Sequence, residues 1–186
     1  MAPKLKVSKE MIICAGYEIA DREGIENVNC RALATKIGCS TQPVFSRFPN
    51  MDELKEEVFI YACNRLEQSI FEKSESDKNL SYIEAAVIVL AEIAREHSNL
   101  YKLIYLSDFR NERTFLETRE KYPTNKRILQ ELINNHKLDN ARAEIVFERL
   151  SLLCHGVCTV MATTTLNYTD EQVLKIINET LIDSTS

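Results

Sequence analysis

Four hydrogen-bonding side chains lie close together in the segment TQPVFSR, residues 41–47: Thr41, Gln42, Ser46 and Arg47. A glutamine amide can pair bidentately with adenine, and the methyl of a threonine can pack against that of a thymine. An arginine guanidinium suits a phosphate oxygen. The chemistry available to this segment is therefore recognition of a nucleic acid duplex.

The residues before this segment predict a helix-turn-helix, in which the second helix lies in the major groove and reads base edges. A short helix ends at Gly38, where glycine accepts a positive φ without a Cβ penalty. Ala34 is small enough to let two helices cross closely. An ordinary helical corner is the alternative, since glycine turns between packed helices are common.

The second helix is predicted to begin after Ser40 and to stop before Pro49. Pro43 at its third position has no N–H, so Ser40 is expected to cap the amide of Gln42 instead. The inward face is expected to carry Val44, Phe45 and Phe48.

Helical periodicity and capping pairs continue along the rest of the chain, with only four glycines and four prolines. Polar residues 110–124, interrupted by Pro123, predict a helix break or mobile loop. The fold class expected is all-α with about nine helices. The expected helix-end residues are Ser8, Gly24, the pair Asn50 and Glu53, Asp139, and the pair Thr169 and Gln172.

Charge is unevenly distributed along a chain whose formal net charge is −5. Residues 1–50 hold seven Lys/Arg against five Asp/Glu, and the remainder is strongly acidic. We call residues 1–50 the head and the remaining residues the body. A mildly basic head and an acidic body give weak support for a small DNA-binding domain attached to a domain that phosphates repel.

The six cysteines form no CxxC pair and no small-domain disulfide framework, which suits a reducing compartment. Cys154, His155 and Cys158 share a helical stretch, but no fourth ligand is apparent, so their metal or redox role stays open. No catalytic grouping or phosphate-binding loop is evident. We expect no enzyme activity, no cofactor and no metal.

The first ten residues, MAPKLKVSKE, have no apolar run of signal-peptide length, and the longest apolar run, residues 85–91, is too short to span a bilayer. A cytoplasmic location without membrane association is expected.

Residues 12–54, IICAGYEIADREGIENVNCRALATKIGCSTQPVFSRFPNMDEL, resemble the DNA-binding head of TetR/AcrR-family transcriptional regulators. The stretch EIAREHSNLYKLIY, residues 92–105, is a weaker match to the same family. The resemblance implies a three-helix DNA-binding domain, residues 1–50, and a helical domain, residues 51–186, that binds an effector and dimerises. By position, the resemblance implies DNA contacts at Arg31, Thr41, Gln42, Pro43, Phe45 and Arg47. Two more contacts are predicted at Ser46, an outward residue of the second helix, and at Lys55, one turn after position 51.

Two positions depart from the family pattern. Phe45 stands where the family usually has tyrosine, and Met51 where it commonly has lysine. Each change removes a phosphate contact, and Lys55, one turn further, is the available replacement. We expect intact sequence reading on a weaker grip of the DNA backbone.

The resemblance also places a dimer interface on the last two helices and an effector pocket among the middle ones. Interface candidates are Phe147, Leu150, Cys154, Val157, Met161, Val173, Ile177 and Leu181. Intramolecular core is the alternative for part of this set. Pocket candidates are Phe59, Cys63, Leu66, Val87, Tyr101, Tyr105 and Tyr122, for which ordinary core packing is again the alternative.

The function predicted is sequence-specific transcriptional regulation by a homodimer on a pseudo-palindromic operator. A repressor released by a small apolar or amphipathic ligand fits best. A regulator controlled by a protein partner, or a helical interaction protein without DNA affinity, are the alternatives.

Overall fold

The computed structural model describes residues 7–109, 112, 114–118 and 121–185. Within these residues the chain is all-α, with ten α-helices, one of four residues, and a 3-10 turn at Ile25–Asn27, so the predicted fold class is confirmed. The helices are α1 Lys9–Glu23, α2 Cys30–Ile37, α3 Thr41–Arg47, α4 Met51–Ser76, α5 Tyr82–Glu96, α6 Ser98–Tyr105, α7 Phe115–Thr118, α8 Pro123–Asn135, α9 Asn140–Thr163 and α10 Asp170–Thr185.

The chain divides into two compact units. Unit 1 comprises the described residues of 1–64 and 99–110, and unit 2 those of 65–98 and 111–186. The first half of α4 therefore belongs to unit 1 together with α1, α2, α3 and α6. The division into residues 1–50 and 51–186 remains a prediction about function.

Most helix ends lie where the sequence predicts them. Ser8 accepts a hydrogen bond from the amide of Met11 at 3.2 Å, and Asp139 accepts one from Arg142 at 2.8 Å. Asn50 accepts from the amide of Asp52 at 2.9 Å. The pair Thr169 and Gln172 forms both halves of a capping box. Short-range side-chain chemistry thus sets these boundaries.

Two helix starts differ from expectation. Ser40 precedes α3 with extended backbone, but its side chain caps no amide, so the predicted bond to Gln42 is wrong. Pro123, expected to lie within a helix break or loop, begins α8, because its fixed φ suits the first helical position. The rest of the predicted break at 110–124 contains α7, and residues 110, 111, 113, 119 and 120 lie outside the described ones.

Several helix ends in unit 2 are held by side chains from distant helices. Glu67 accepts from the amide of Thr124 at 2.8 Å, and Glu131 accepts from the amide of Tyr82 at 2.9 Å. Arg142 donates to the carbonyl of Ser184 at 2.8 Å. These bonds tie α4 to α8, α8 to α5, and α9 to α10.

The core of unit 2 forms where α9 packs against α5, α8 and α10. By length and apolar composition alone, α9 could cross a membrane. One side of it is nevertheless buried against other helices of the unit, as in the core helix of a globular domain, with Ala143, Val146, Phe147 and Cys158 nearly inaccessible.

The core of unit 1 contains a close approach between α1 and α4 at Gly16. A Cβ placed on Gly16 would lie 2.7 Å from Cγ2 of Val58, and further contacts would come from Val28 and Leu33. Glycine here lets the two helix backbones approach more closely than any side chain would allow.

Candidate nucleic-acid interface

The turn between α2 and α3 is built as the sequence predicts. Gly38 has φ +76° and ψ +37°, the left-handed region, and its amide donates to the carbonyl of Ala34 at 3.0 Å. The amide of Cys39 donates to the same carbonyl at 2.9 Å. These bonds satisfy the end of α2 within two residues and turn the chain sharply into α3.

The start of α2 is fixed by a cap that sequence reasoning missed. The side-chain oxygen of Asn29 accepts from the amides of Arg31 and Ala32, both at 3.1 Å. Asparagine before an apolar helix is a common N-cap, so the signal was present in the sequence.

A small apolar core holds α3 against α1 and α2. Leu33, Val44 and Phe48 are fully buried, and Ala34 is buried at the helix crossing. Lys9 at the start of α1 places its ammonium 5.0 Å from the centre of the Phe48 ring. Phe45 is not part of this core: 52% of its surface is exposed, so the prediction that it faces inward is wrong.

The predicted DNA-contact residues lie at the surface of the described chain. Six of the eight are exposed, whereas Pro43 and Lys55 are partly buried. On α3 the outward side chains are Gln42, Phe45, Ser46 and Arg47, opposite the buried Val44 and Phe48. This side of α3 thus presents amide, hydroxyl, guanidinium and aromatic groups together.

Acidic groups near this face moderate its charge. The Ser8 hydroxyl, and to a smaller extent the Arg47 guanidinium, hold the pKa of Glu10 below its usual range. Lys36 forms an ion pair with Glu18, so its positive charge is locally neutralised. The weaker grip of the DNA backbone expected from Phe45 and Met51 stays a prediction.

The pocket candidates are divided between the units. In unit 1, Phe59, Cys63 and Tyr101 are buried, and the Tyr101 and Tyr105 rings lie 5.1 Å apart. Phe59 stacks on Phe109 at 5.6 Å, a partner that sequence reasoning missed.

The three candidates of unit 2 are Leu66 and Val87, both buried, and Tyr122, which is partly buried. The assignment of all seven residues to an effector pocket remains a prediction.

The dimer candidates lie mostly in the core of unit 2. All eight except the partly buried Val157 are covered by the chain's own helices, which is the intramolecular alternative. The outward sides of α9 and α10 instead expose Ile145, Leu152 and Ile182, at 46%, 59% and 63% of their surfaces.

The Cys154, His155 and Cys158 group has the properties of packing residues. A side-chain hydrogen bond with Cys158, together with burial, raises the pKa of the Cys154 thiol well above its usual range. The ring of His155 stacks on Phe115 at 4.7 Å. Among the described residues, no three His, Cys, Asp or Glu side chains are grouped to hold a metal ion.

Solved structures of transcriptional regulators share this fold. The multidrug binding protein EbrR, complexed with imidazole, matches with a TM-score of 0.54 and 15% identity over 92% of this chain and 93% of its own. A transcriptional regulator from Rhodococcus sp. Rha1 matches with a TM-score of 0.60 and 18% identity over 95% of each chain. The chain therefore shares the all-α fold of these proteins, as expected from the resemblance of residues 12–54.

One curated relative agrees with this class. The uncharacterized HTH-type transcriptional regulator YobS of Bacillus subtilis (strain 168) is 23% identical over 114 residues, which span 60% of each protein. No family model matches the chain. Both this relative and the Rhodococcus protein are described as transcriptional regulators.

Proposed function

We propose that this chain is a cytoplasmic, sequence-specific DNA-binding transcriptional regulator without enzyme activity. The observation that carries the proposal is the orientation of α3. Val44 and Phe48 anchor it to the head, while Gln42, Ser46 and Arg47 point outward. A short helix held this way can enter a major groove without rearrangement of its own platform.

Selection of duplexes from a random pool by the purified protein tests DNA recognition. We expect one enriched motif, bound with an affinity that falls as salt rises, because phosphate contacts release counterions. Gln42→Ala should weaken binding to the selected duplex by about ten-fold or more and leave random-duplex binding nearly unchanged. Asn167→Ala, a change at an exposed loop residue of unit 2, is the matched control. Failure to enrich any motif, or binding that ignores salt, would refute the proposal.

The regulator is proposed to act as a homodimer on a pseudo-palindromic operator. A single short recognition helix contacts few phosphates, so a two-fold pair of heads is needed for tight specific binding. Because the buried candidates of α9 and α10 are unavailable, we place the contact on the outward residues Ile145, Leu152 and Ile182. These apolar side chains gain most from being covered by a second copy.

Sedimentation velocity over a range of concentrations tests the dimer. Leu152→Arg should shift the protein to the monomer and weaken operator binding, whereas Asn167→Arg adds the same charge on an exposed loop residue and should do neither. A wild-type protein that stays monomeric at the highest concentration would contradict the proposed interface.

We further propose that a small apolar or amphipathic ligand releases a repressor from its operator. The support is the membership of α6 in unit 1, the unit that contains the head. The side chain of Asn99 in α6 donates to the carbonyl of Asp21 in α1 at 3.0 Å. A ligand that favours a different position of α6 would therefore also act on α1, and so on the fit of the heads to DNA.

Screening compounds for release of a fluorescent operator tests this regulation. A releasing compound should still bind Asn99→Ala, as followed by thermal shift, but should release its operator less effectively. If no compound changes operator affinity, control by a protein partner replaces ligand release.

A further inference from the structure

The exposed aromatic ring of Phe45 is not explained by packing within the head. Residues three and four positions apart on a helix are neighbours, so Phe45 lies beside Gln42 on the outward side of α3. Slightly more than half of its surface is exposed, although Val44 on the same short helix and Phe48 directly after it are almost completely buried. An apolar ring therefore stands among the polar groups of the candidate DNA-binding face.

The Cys30 thiol forms hydrogen bonds with the backbone of α3 next to Phe45. The Cys30 thiol donates to the carbonyl of Thr41 at 3.5 Å and accepts from the amide of Phe45. Burial raises the pKa of Cys30, with a smaller contribution from the nearby Cys39, so the thiol keeps the proton that it donates. Val44 and Phe48 fill the inner side of the helix, and the Phe45 ring lies on the outer side.

A phenyl ring in a major groove has a narrow choice of partners. It has no hydroxyl, so it cannot donate to a phosphate or to the hydrogen-bonding edge of a base. The apolar group that a duplex presents in that groove is the 5-methyl of thymine. Contact with a deoxyribose is also apolar, but it does not depend on that methyl.

We infer that Phe45 is a specificity residue that recognises thymine in each half-site by packing on its 5-methyl group, beside the base contacted by Gln42. The inference rests on the proposed DNA-binding function and adds the chemistry that one position of the recognition helix reads. Phenylalanine in place of the family's usual tyrosine would then lose a contact to a phosphate and gain a contact to a base.

Replacing thymine by deoxyuracil in the selected duplex tests this inference, because only the methyl is removed. With one thymine replaced in a single half-site, wild-type affinity should fall about four-fold, and with the equivalent thymine replaced in both half-sites it should fall about fifteen-fold, as expected for one buried methyl each. Phe45→Ala should bind the thymine and deoxyuracil duplexes equally well. Its melting temperature should match that of the wild type, because the side chain is half exposed.

Phe45→Leu keeps an apolar side chain at this position and should retain most of the preference for thymine. This variant also serves if Phe45→Ala proves unstable. Deoxyuracil accepted at every thymine by the wild type, or a full penalty retained in Phe45→Ala, would overturn the inference while DNA binding stands. If the pool yields no enriched duplex, the proposed function itself fails, and the two failures are thereby distinguished.

Discussion

Because α1 and α4 approach closely at Gly16, the effect of Gly16→Ala on stability should depend on the residue at position 58. The substitution should destabilise the protein when Val58 is present and stabilise it when Val58 is replaced by alanine. Alanine is favoured over glycine inside a helix by up to about 1 kcal/mol. In this chain the added methyl would lie 2.7 Å from Cγ2 of Val58, whereas carbon atoms pack best at about 3.5–4.0 Å. The overlap is thus close to 1 Å and involves a fully buried, β-branched side chain.

Overpacking of this kind costs about 1–3 kcal/mol in a well-packed core. Subtracting the helix preference, we expect Gly16→Ala to lower the free energy of unfolding by up to about 2 kcal/mol. Val58→Ala alone should also destabilise, because it leaves a cavity. In that background, however, the new methyl at position 16 occupies vacated space, and Gly16→Ala should become stabilising by up to about 1 kcal/mol.

Urea unfolding of the four proteins, followed by far-UV circular dichroism, measures this double-mutant cycle. The wild type, each single variant and the double variant should give a coupling free energy of about 1–3 kcal/mol between the two positions. If Gly16→Ala stabilises the protein in both backgrounds, the helices can separate at little cost. Contact between the added methyl and Val58 would then not limit stability at this position.

Local geometry leads to four further expected outcomes. Gly38→Ala should destabilise the head by about 1 kcal/mol through its positive φ alone, since no atom crowds the site, and Gly38→Asn should cost less in the same urea assay. Ser81→Ala removes a capping box and should cost about 1 kcal/mol, against only a few tenths for Ser81→Gly. Burial acts to raise the pKa of Glu84 in that box, but hydrogen bonds from Ser81 and a neighbouring helix lower it overall. Its contribution to stability should therefore be present at neutral pH and lost as the pH falls through the lowered pKa, a loss that Glu84→Gln abolishes. Glu10→Gln should strengthen duplex binding at low salt by removing a negative charge near Arg47, and the gain should shrink at high salt in a fluorescence anisotropy titration.

The head could be predicted from sequence because its determinants are local. Gly38 and Ala34 lie within one turn of the crossing that they permit, and the spacing of Val44 and Phe48 identifies the buried side of α3. Phe45 was harder to place, because an aromatic residue favours both a small core and a DNA groove. Only its exposed fraction separates the two.

For residues 51–186, the sequence predicts the helices but not which side of each helix is buried. Helix α9 is apolar on most sides, so periodicity does not show that Leu150 packs inward while Leu152 points outward. The Ser81 and Glu84 box was a local signal that went unnoticed. The bond from Glu67 to Thr124 joins residues 57 positions apart, and nothing in the spacing of the sequence could reveal it.

The shared helix ends of unit 2 bear on how that unit melts. Detachment of α8 breaks the hydrogen bond between the Glu67 carboxylate and the amide of Thr124. It also breaks the bond between the Glu131 carboxylate and the amide of Tyr82 at the start of α5. Fraying of one helix therefore exposes orphaned groups on two others, which makes partial opening costly. Amide hydrogen exchange across α5, α8 and the second half of α4 should accordingly proceed through one common opening event.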